Sequence, residues 1–156
     1  MRNINNKRAL SPVIATVILV AVAITVAVAV AYWMGGIAGQ YTKFEKVEIT
    51  SVLCTYNASS EIWTITLGVK NTGTAQATLD KVFINSIEIT DYSLPPATDG
   101  AAHNMGANGM TLTSGQPGTI IIQIERGWQT VSSGTTLNVK LHSTGGMEYL
   151  KMVELV

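Results

Sequence analysis

Two histidines, one cysteine and a handful of carboxylates are what this 156-residue chain has to do chemistry with. His103 and His142 stand far apart, without Cys or carboxylate neighbours at the spacing of zinc ligands, so no zinc site is indicated. Asp91, Asp99, Asn104 and Asn108 carry the oxygens that calcium takes, but they fit no known loop spacing. No G-x-S-x-G, phosphate-binding loop or paired-carboxylate signature occurs. Cys54 has no second cysteine to pair with. In "ITSVLCTY" it reads as a small buried hydrophobe, with an intermolecular bridge or a reactive thiol as the alternatives. Catalysis is not expected, and no metal or cofactor is called for. What remains is chemistry done to the chain, and the place for it is "KRALSP", residues 7–12. Ser11 is a good N-cap and Pro12 suits a first helical position, where its missing N–H would be unsatisfied anyway. The residue before a proline is pushed out of the helical region. A helix is therefore expected to start at Pro12, leaving Arg8-Ala9-Leu10 extended, as a protease requires of its substrate.

The element that positions this junction is the apolar run behind it. Val13 to Met34 is 22 residues interrupted only by Thr16 and Thr25, and no charge follows Arg8 until Lys43. As a helix it spans about 33 Å, enough to cross the hydrocarbon core of a bilayer. A secretory signal has a shorter apolar region, roughly 7–15 residues, with a small-residue cleavage site behind it. Tyr32 and Trp33 stand at the far end, where amphipathic rings favour the membrane–water boundary. Arg2, Lys7 and Arg8 on the near side predict a cytoplasmic N-terminus and an outside location for residues 41–156.

"KRA" followed by "LSPVIATVILVAVAITVAV" resembles the N-terminus of archaeal type IV pilins. In that family a prepilin peptidase cuts on the cytoplasmic side, before the apolar helix, and the matching bond here is Ala9–Leu10. The likeness is close over residues 7–36; beyond them it is the general plan of a β-rich headpiece. Bacterial type IV pilins carry Glu at the fifth mature position, where this chain has Ile14, and archaellins have a Gly/Thr-rich start in place of Ser-Pro-Val-Ile. Both departures favour the archaeal adhesion-type pilin. The resemblance implies a cleaved signal over 1–9, a hydrophobic helix over 10–40 and a headpiece over 41–156. It further implies a precursor held in the cytoplasmic membrane and a mature subunit in an extracellular adhesion filament. Its partners would be copies of itself, the prepilin peptidase and the pilus assembly machinery. With charges balanced at zero and unblocked, a nucleic-acid partner is not expected. Two other readings stay open: a minor or tip pilin, and a membrane-anchored binding module that never polymerises.

Within the helix, Ala23, Ala27, Ala31, Gly35 and Gly39 recur every fourth residue and would form a slanting stripe of small side chains that lets helices approach closely. An Ala-rich helix can also yield such a run by chance. After Gly39 the period changes. "KVEIT", "IWTITLGV", "VFINSIEIT", "TIIIQIE", "LNVKLH" and "EYLKMVEL" alternate or run β-branched between Gly, Asn, Ser and Pro, with tight hairpins expected at Asn85-Ser86 and in "STGGM". The fold class is α+β: a long N-terminal apolar helix followed by an all-β immunoglobulin-like sandwich. "VKNTGTAQATLDKVFIN" resembles a strand–turn–strand unit of extracellular immunoglobulin-like modules, which speaks to fold and not to function. Trp63 reads as core. Trp128, among turn residues, reads as a candidate exposed ring with a stacking or adhesive role. Residues 93–118 read as one long loop, either a contact face or a mobile connection. Asn57-Ala58-Ser59 is the only N-x-[ST] acceptor for N-glycosylation, and Asn57 is expected to be exposed.

Overall fold

The computed structural model describes residues 10–97 and 100–156. The chain divides into two compact units that meet between Thr42 and Lys43.

The first unit is one helix, α1 (Leu10–Tyr41). It begins two residues before Pro12, so the backbone at Leu10 and Ser11 is helical rather than extended. The proline permits this. As the third helical residue it still falls among the first four N–H groups, which have no intrahelical acceptor, so its missing donor costs no hydrogen bond. At the other end the helix runs through Gly35, Gly36 and Gly39, and Thr42 N–H donates to Ala38 O at 3.2 Å to close the last turn.

The second unit is a two-sheet β-sandwich built of antiparallel pairs. Its strands are β1 (Val47–Asn57), β2 (Ile62–Asn71), β3 (Ala77–Ile84), β4 (Ile87–Ile89), β5 (Ala101–His103), β6 (Met110–Leu112), β7 (Pro117–Glu125), β8 (Thr136–Ser143) and β9 (Glu148–Glu154). One sheet runs β1-β2-β7-β5. The other runs β4-β3-β8-β9, with β6 also paired to β3. Two-residue alternation turns Ile65, Leu67 and Val69 of β2, Ile120, Ile122 and Ile124 of β7, and Leu137, Val139 and Leu141 of β8 into one core between the sheets. Each is almost fully buried.

Turn chemistry sets the registers. Asn85 and Ser86 both have positive φ, 49° and 71°, the mark of a type I′ turn whose twist suits the β3–β4 hairpin. In "STGGM" the β8–β9 hairpin closes through Ser143 N–H donating to Met147 O at 3.0 Å. The 69–85 stretch crosses from β2 in one sheet to β3 in the other. Its turn is strapped to the start of the headpiece: Thr72 N–H donates to Lys46 O at 2.8 Å, Thr74 N–H to Phe44 O at 3.0 Å, and Phe44 N–H to Thr74 Oγ1 at 3.0 Å. A Cβ on Gly73 would stand 2.5 Å from Phe44 O, so only glycine lets the two backbones approach this closely.

The expectation of one long loop over 93–118 is corrected. β5 and β6 lie inside it, and Ala101, Ala102 and His103 are fully buried. Each strand is three residues long, too short to show a period, and each is held by a partner distant in sequence: β5 by β7, and β6 by β3. Cys54 is half-buried against the core, and so is Trp128, which packs on the core rather than standing free.

Candidate assembly helix

From Pro12 onward nearly every side chain of α1 is exposed, and no side is polar. Val17 and Val28 are each 64% exposed and Leu19 is 72%. A helix apolar all round belongs inside something, either a bilayer or a bundle of other helices. The two polar side chains of the run are turned onto the helix itself. Thr16 Oγ1 donates to Val13 O and Thr25 Oγ1 to Ala21 O, both at 2.8 Å. Neither hydroxyl therefore asks an apolar neighbour for a hydrogen bond. Neither the first turn nor the last carries a charge. Thirty residues, Pro12–Tyr41, are long and apolar enough to cross a membrane. Tyr32, 88% exposed, and Trp33 mark the distal end of the most apolar stretch.

The residues singled out for processing and helix packing fall on this element, apart from Ala9. Ala9, one partner of the expected scissile bond, lies outside the described residues; Leu10 is the first residue of α1. Ala23, Ala27, Ala31, Gly35 and Gly39 all lie on α1. Four residues advance the helix by about 400°, so successive members step round the axis by about 40° and the row slants. A Cβ at Gly35 or Gly39 would meet nothing within 4 Å, so within this chain neither glycine answers a close approach.

The headpiece puts its chemistry-bearing residues to structural use. His103 is fully buried between two backbone groups: Nε2–H faces Ile89 O at 3.2 Å, and Nδ1 accepts from Met105 N–H at 3.3 Å. That pattern uses the neutral ring, and burial pushes its pKa below the ordinary value. His142 Nδ1 meets Asp80 Oδ1 at 2.8 Å on the outer side of the β3–β8 pair. Among the described residues no three His, Cys, Asp or Glu side chains gather as a metal site.

Of the four residues weighed for calcium, Asp91 instead organises the segment after β4. Its carboxylate accepts from Ser93 N–H at 2.9 Å, from the Ser93 hydroxyl, and from Ala97 N–H at 2.7 Å. Asn104 imitates a strand pair, donating to Thr119 O at 3.2 Å and accepting from Ile121 N–H at 2.9 Å. Asp99 lies outside the described residues. Asn71, which composition did not flag, is fully buried and donates to Ala75 O at 2.8 Å and Leu112 O at 2.9 Å. Its signal was available: an Asn two residues before a Gly at a strand end, where a side chain satisfies turn groups that the ladder has dropped. Asn57 closes β1, is exposed, and accepts from Ser59 N–H at 2.9 Å.

A long apolar helix followed by an antiparallel sandwich is an α+β architecture, and solved archaeal structures resemble it to different extents. The archaeal flagellum of Methanospirillum hungatei strain JF1 is 15% identical at a TM-score of 0.50, covering 95% of this chain and 92% of that one. The archaellum periplasmic stator protein FlaG from Sulfolobus acidocaldarius is also 15% identical, at a TM-score of 0.45, covering 70% of this chain and all of that one. At 15% identity the likeness to the Methanospirillum structure is one of fold alone. No family model matches the chain, and no characterised protein matches it by sequence.

Proposed function

We propose that this chain is a structural, non-enzymatic subunit of an archaeal type IV pilus-like extracellular filament used in attachment, assembled through α1. The observation that carries the reading is a 32-residue helix whose side chains are apolar on every side, with both threonine hydroxyls bonded to its own backbone. Such a helix is soluble in lipid and equally in a bundle of its own copies. The fold shared with the Methanospirillum flagellum structure supports the same reading.

The physical logic is a transfer between two apolar surroundings. In the precursor α1 crosses the cytoplasmic membrane with residues 1–9 inside, and Arg2, Lys7 and Arg8 hold that end in place. Cutting at Ala9–Leu10 removes all three cations and leaves seven Lys and Arg against ten Asp and Glu, a net charge of −3. The freed helix then leaves the bilayer sideways into a bundle. Burying one large aliphatic side chain is worth roughly 1.5–3 kcal/mol relative to water. With thirteen Val, Ile and Leu residues in α1, the bundle does not return to solution. The headpiece would form the outer sheath.

The test is mass analysis of protein sheared from intact cells, together with electron microscopy of the same material. A chain beginning at Leu10 in filaments is the expected result. A chain that retains Met1, or that is found only in membranes without filaments, overturns the proposal.

A further inference from the structure

We propose that the end of the sandwich where β1 finishes is a binding site for a neutral saccharide, with the Tyr56 ring as its floor and the Arg126–Glu61 pair at its rim. The inference deepens the attachment role proposed above and rests on that reading for its place outside the cell. A cleft of about 540 Å³ opens there, lined by Tyr56, Trp63, Arg126, Ser132, Ser133 and Val156. That lies within the roughly 300–1,000 Å³ of small-molecule pockets. The lining is gathered from the end of β1, the start of β2, and the segments after β7, before β8 and after β9. Strand pairing places this end of the headpiece opposite Val47, where β1 begins.

The floor is rigid. Tyr56 stands directly across the β1–β2 ladder from Trp63, with ring centroids 4.9 Å apart and planes tilted by 38°. Trp63 is buried, and its indole N–H donates to Val156 O at 2.8 Å, which fixes the ring that supports Tyr56. Tyr56 itself keeps 37% of its surface exposed, so it is the aromatic ring a ligand meets. An aromatic face is electron-rich, and a sugar ring offers it one side of weakly positive C–H groups.

The rim supplies both halves of a hydrogen bond. Arg126 Nη1 meets Glu61 Oε1 at 2.7 Å, and Arg126 N–H donates to Glu61 O at 2.9 Å. Two bonds between the same two residues hold the pair although both side chains are exposed. A sugar hydroxyl donates one hydrogen bond and accepts others, so a guanidinium beside a carboxylate answers it on both counts. The charges of the pair cancel, which removes the attraction that a phosphate or carboxylate ligand would draw on. Ser132 and Ser133 add two hydroxyls to the lining.

The segment that joins Arg126 to these serines is held in a costly shape. Gln129 and Thr130 both have positive φ, 47° and 60°. At a β-branched residue such as Thr130 that conformation is an outlier, kept only where surrounding structure enforces it. Trp128 packs on the core. Gly134 N–H donates to Leu155 O at 2.7 Å, and Leu155 N–H to Thr135 O at 3.0 Å, tying the far end of the segment to the chain beyond β9. Backbone strain of this kind concentrates at ligand sites.

The experiment applies the full chain, in a detergent without a sugar head group, to immobilised neutral hexose oligosaccharides and to uronic-acid oligosaccharides. Saturable binding to at least one neutral oligosaccharide is expected. Tyr56→Ala and Arg126→Met should each weaken it about tenfold, the worth of one good aromatic or charge-assisted contact. Tyr56→Phe keeps the ring and should bind within about twofold of wild type. Ser133→Ala removes an exposed hydroxyl outside the core, should melt as wild type does, and should weaken binding about threefold. It serves where Tyr56→Ala does not fold. No neutral oligosaccharide bound, or binding that Tyr56→Ala, Arg126→Met and Ser133→Ala all leave unchanged, overturns the site. Binding confined to the uronic acids overturns the neutral class. Because binding is read on the solubilised chain, its failure leaves the filament reading standing, and a failure to find filaments leaves the site standing.

Discussion

Valine and isoleucine build both halves of this molecule, and the two halves use them in opposite ways. Val17 of α1 is 64% exposed, whereas Val82 of β3 is fully buried. In the headpiece apolar residues alternate with polar ones, so each strand has an inside, and two sheets close on each other. In α1 the apolar residues do not alternate with anything, so the helix has no inside. The lesson is that burial in the headpiece is internal to one chain, while burial of α1 has to come from lipid or from other chains. That asymmetry fits a subunit that is stable alone at one end and completed only by assembly at the other.

The comparison breaks most readily at the middle of the helix. Val22→Arg places a charge where the translocation machinery charges roughly 2.5–3.5 kcal/mol for it. The expected outcome is loss of membrane insertion, read by fractionation, with the headpiece still folded. An inserted Val22→Arg protein would show that the remaining apolar length outweighs one central charge.

Matched truncations sharpen the contrast. Leu67→Ala or Ile122→Ala in the sandwich core is expected to lower unfolding stability by about 2–5 kcal/mol, measured by chemical denaturation in detergent. Ile18→Ala in α1 should leave that unfolding transition unmoved. Equal losses at both places would mean that α1 is packed within the chain after all.

The small-residue stripe predicts a phenotype confined to assembly. Ala27→Leu or Ala31→Leu is expected to insert and be cut normally, because lipid accepts a larger apolar side chain. It should then accumulate in the membrane without wild-type filament yield, since overpacking between helices costs about 1–3 kcal/mol at each contact. Wild-type filament yield from both variants would assign the contacts to another face of α1.

The smallest expected effect is in pH. Burial lowers the pKa of His103 in the folded state below its ordinary value near 6.5. The unfolded chain therefore takes up a proton first as the medium is acidified. The stability tied to neutral His103 is full above about pH 6.5 and is lost as pH falls from there through the lower, folded value. Melting temperature should decline over that acid range, and His103→Gln should flatten that part of the slope. An unchanged slope would mean that another group sets the acid sensitivity.

How much of this could be read beforehand depended on how local the cause was. The strands with a clear period, "IWTITLGV" and "TIIIQIE" among them, were legible because alternation states which side faces in. The two hairpins were legible because Asn85-Ser86 and the Gly145-Gly146 pair are turn chemistry. The helix start was misplaced by two residues because Pro12 restricts its neighbour without forbidding a helix in the first turn. The exposure of Asn57 was legible because Asn57-Ala58-Ser59 lies in a turn-like stretch between two strand patterns.

The sequence by itself determined the length and uniform apolarity of α1, the α+β class and the main strands, because each follows from residues adjacent in the chain. Only the tertiary structure decided that 93–118 contains β5 and β6, that His103 is a neutral core residue, that Asp91 and Asn104 serve the backbone, and that Gly73 must be glycine. Each of these depends on a partner brought from far along the chain: β7 for β5, Ile89 for His103, Ile121 for Asn104 and Phe44 for Gly73. Periodicity and spacing carry no information about such meetings, because folding, and not adjacency, creates them.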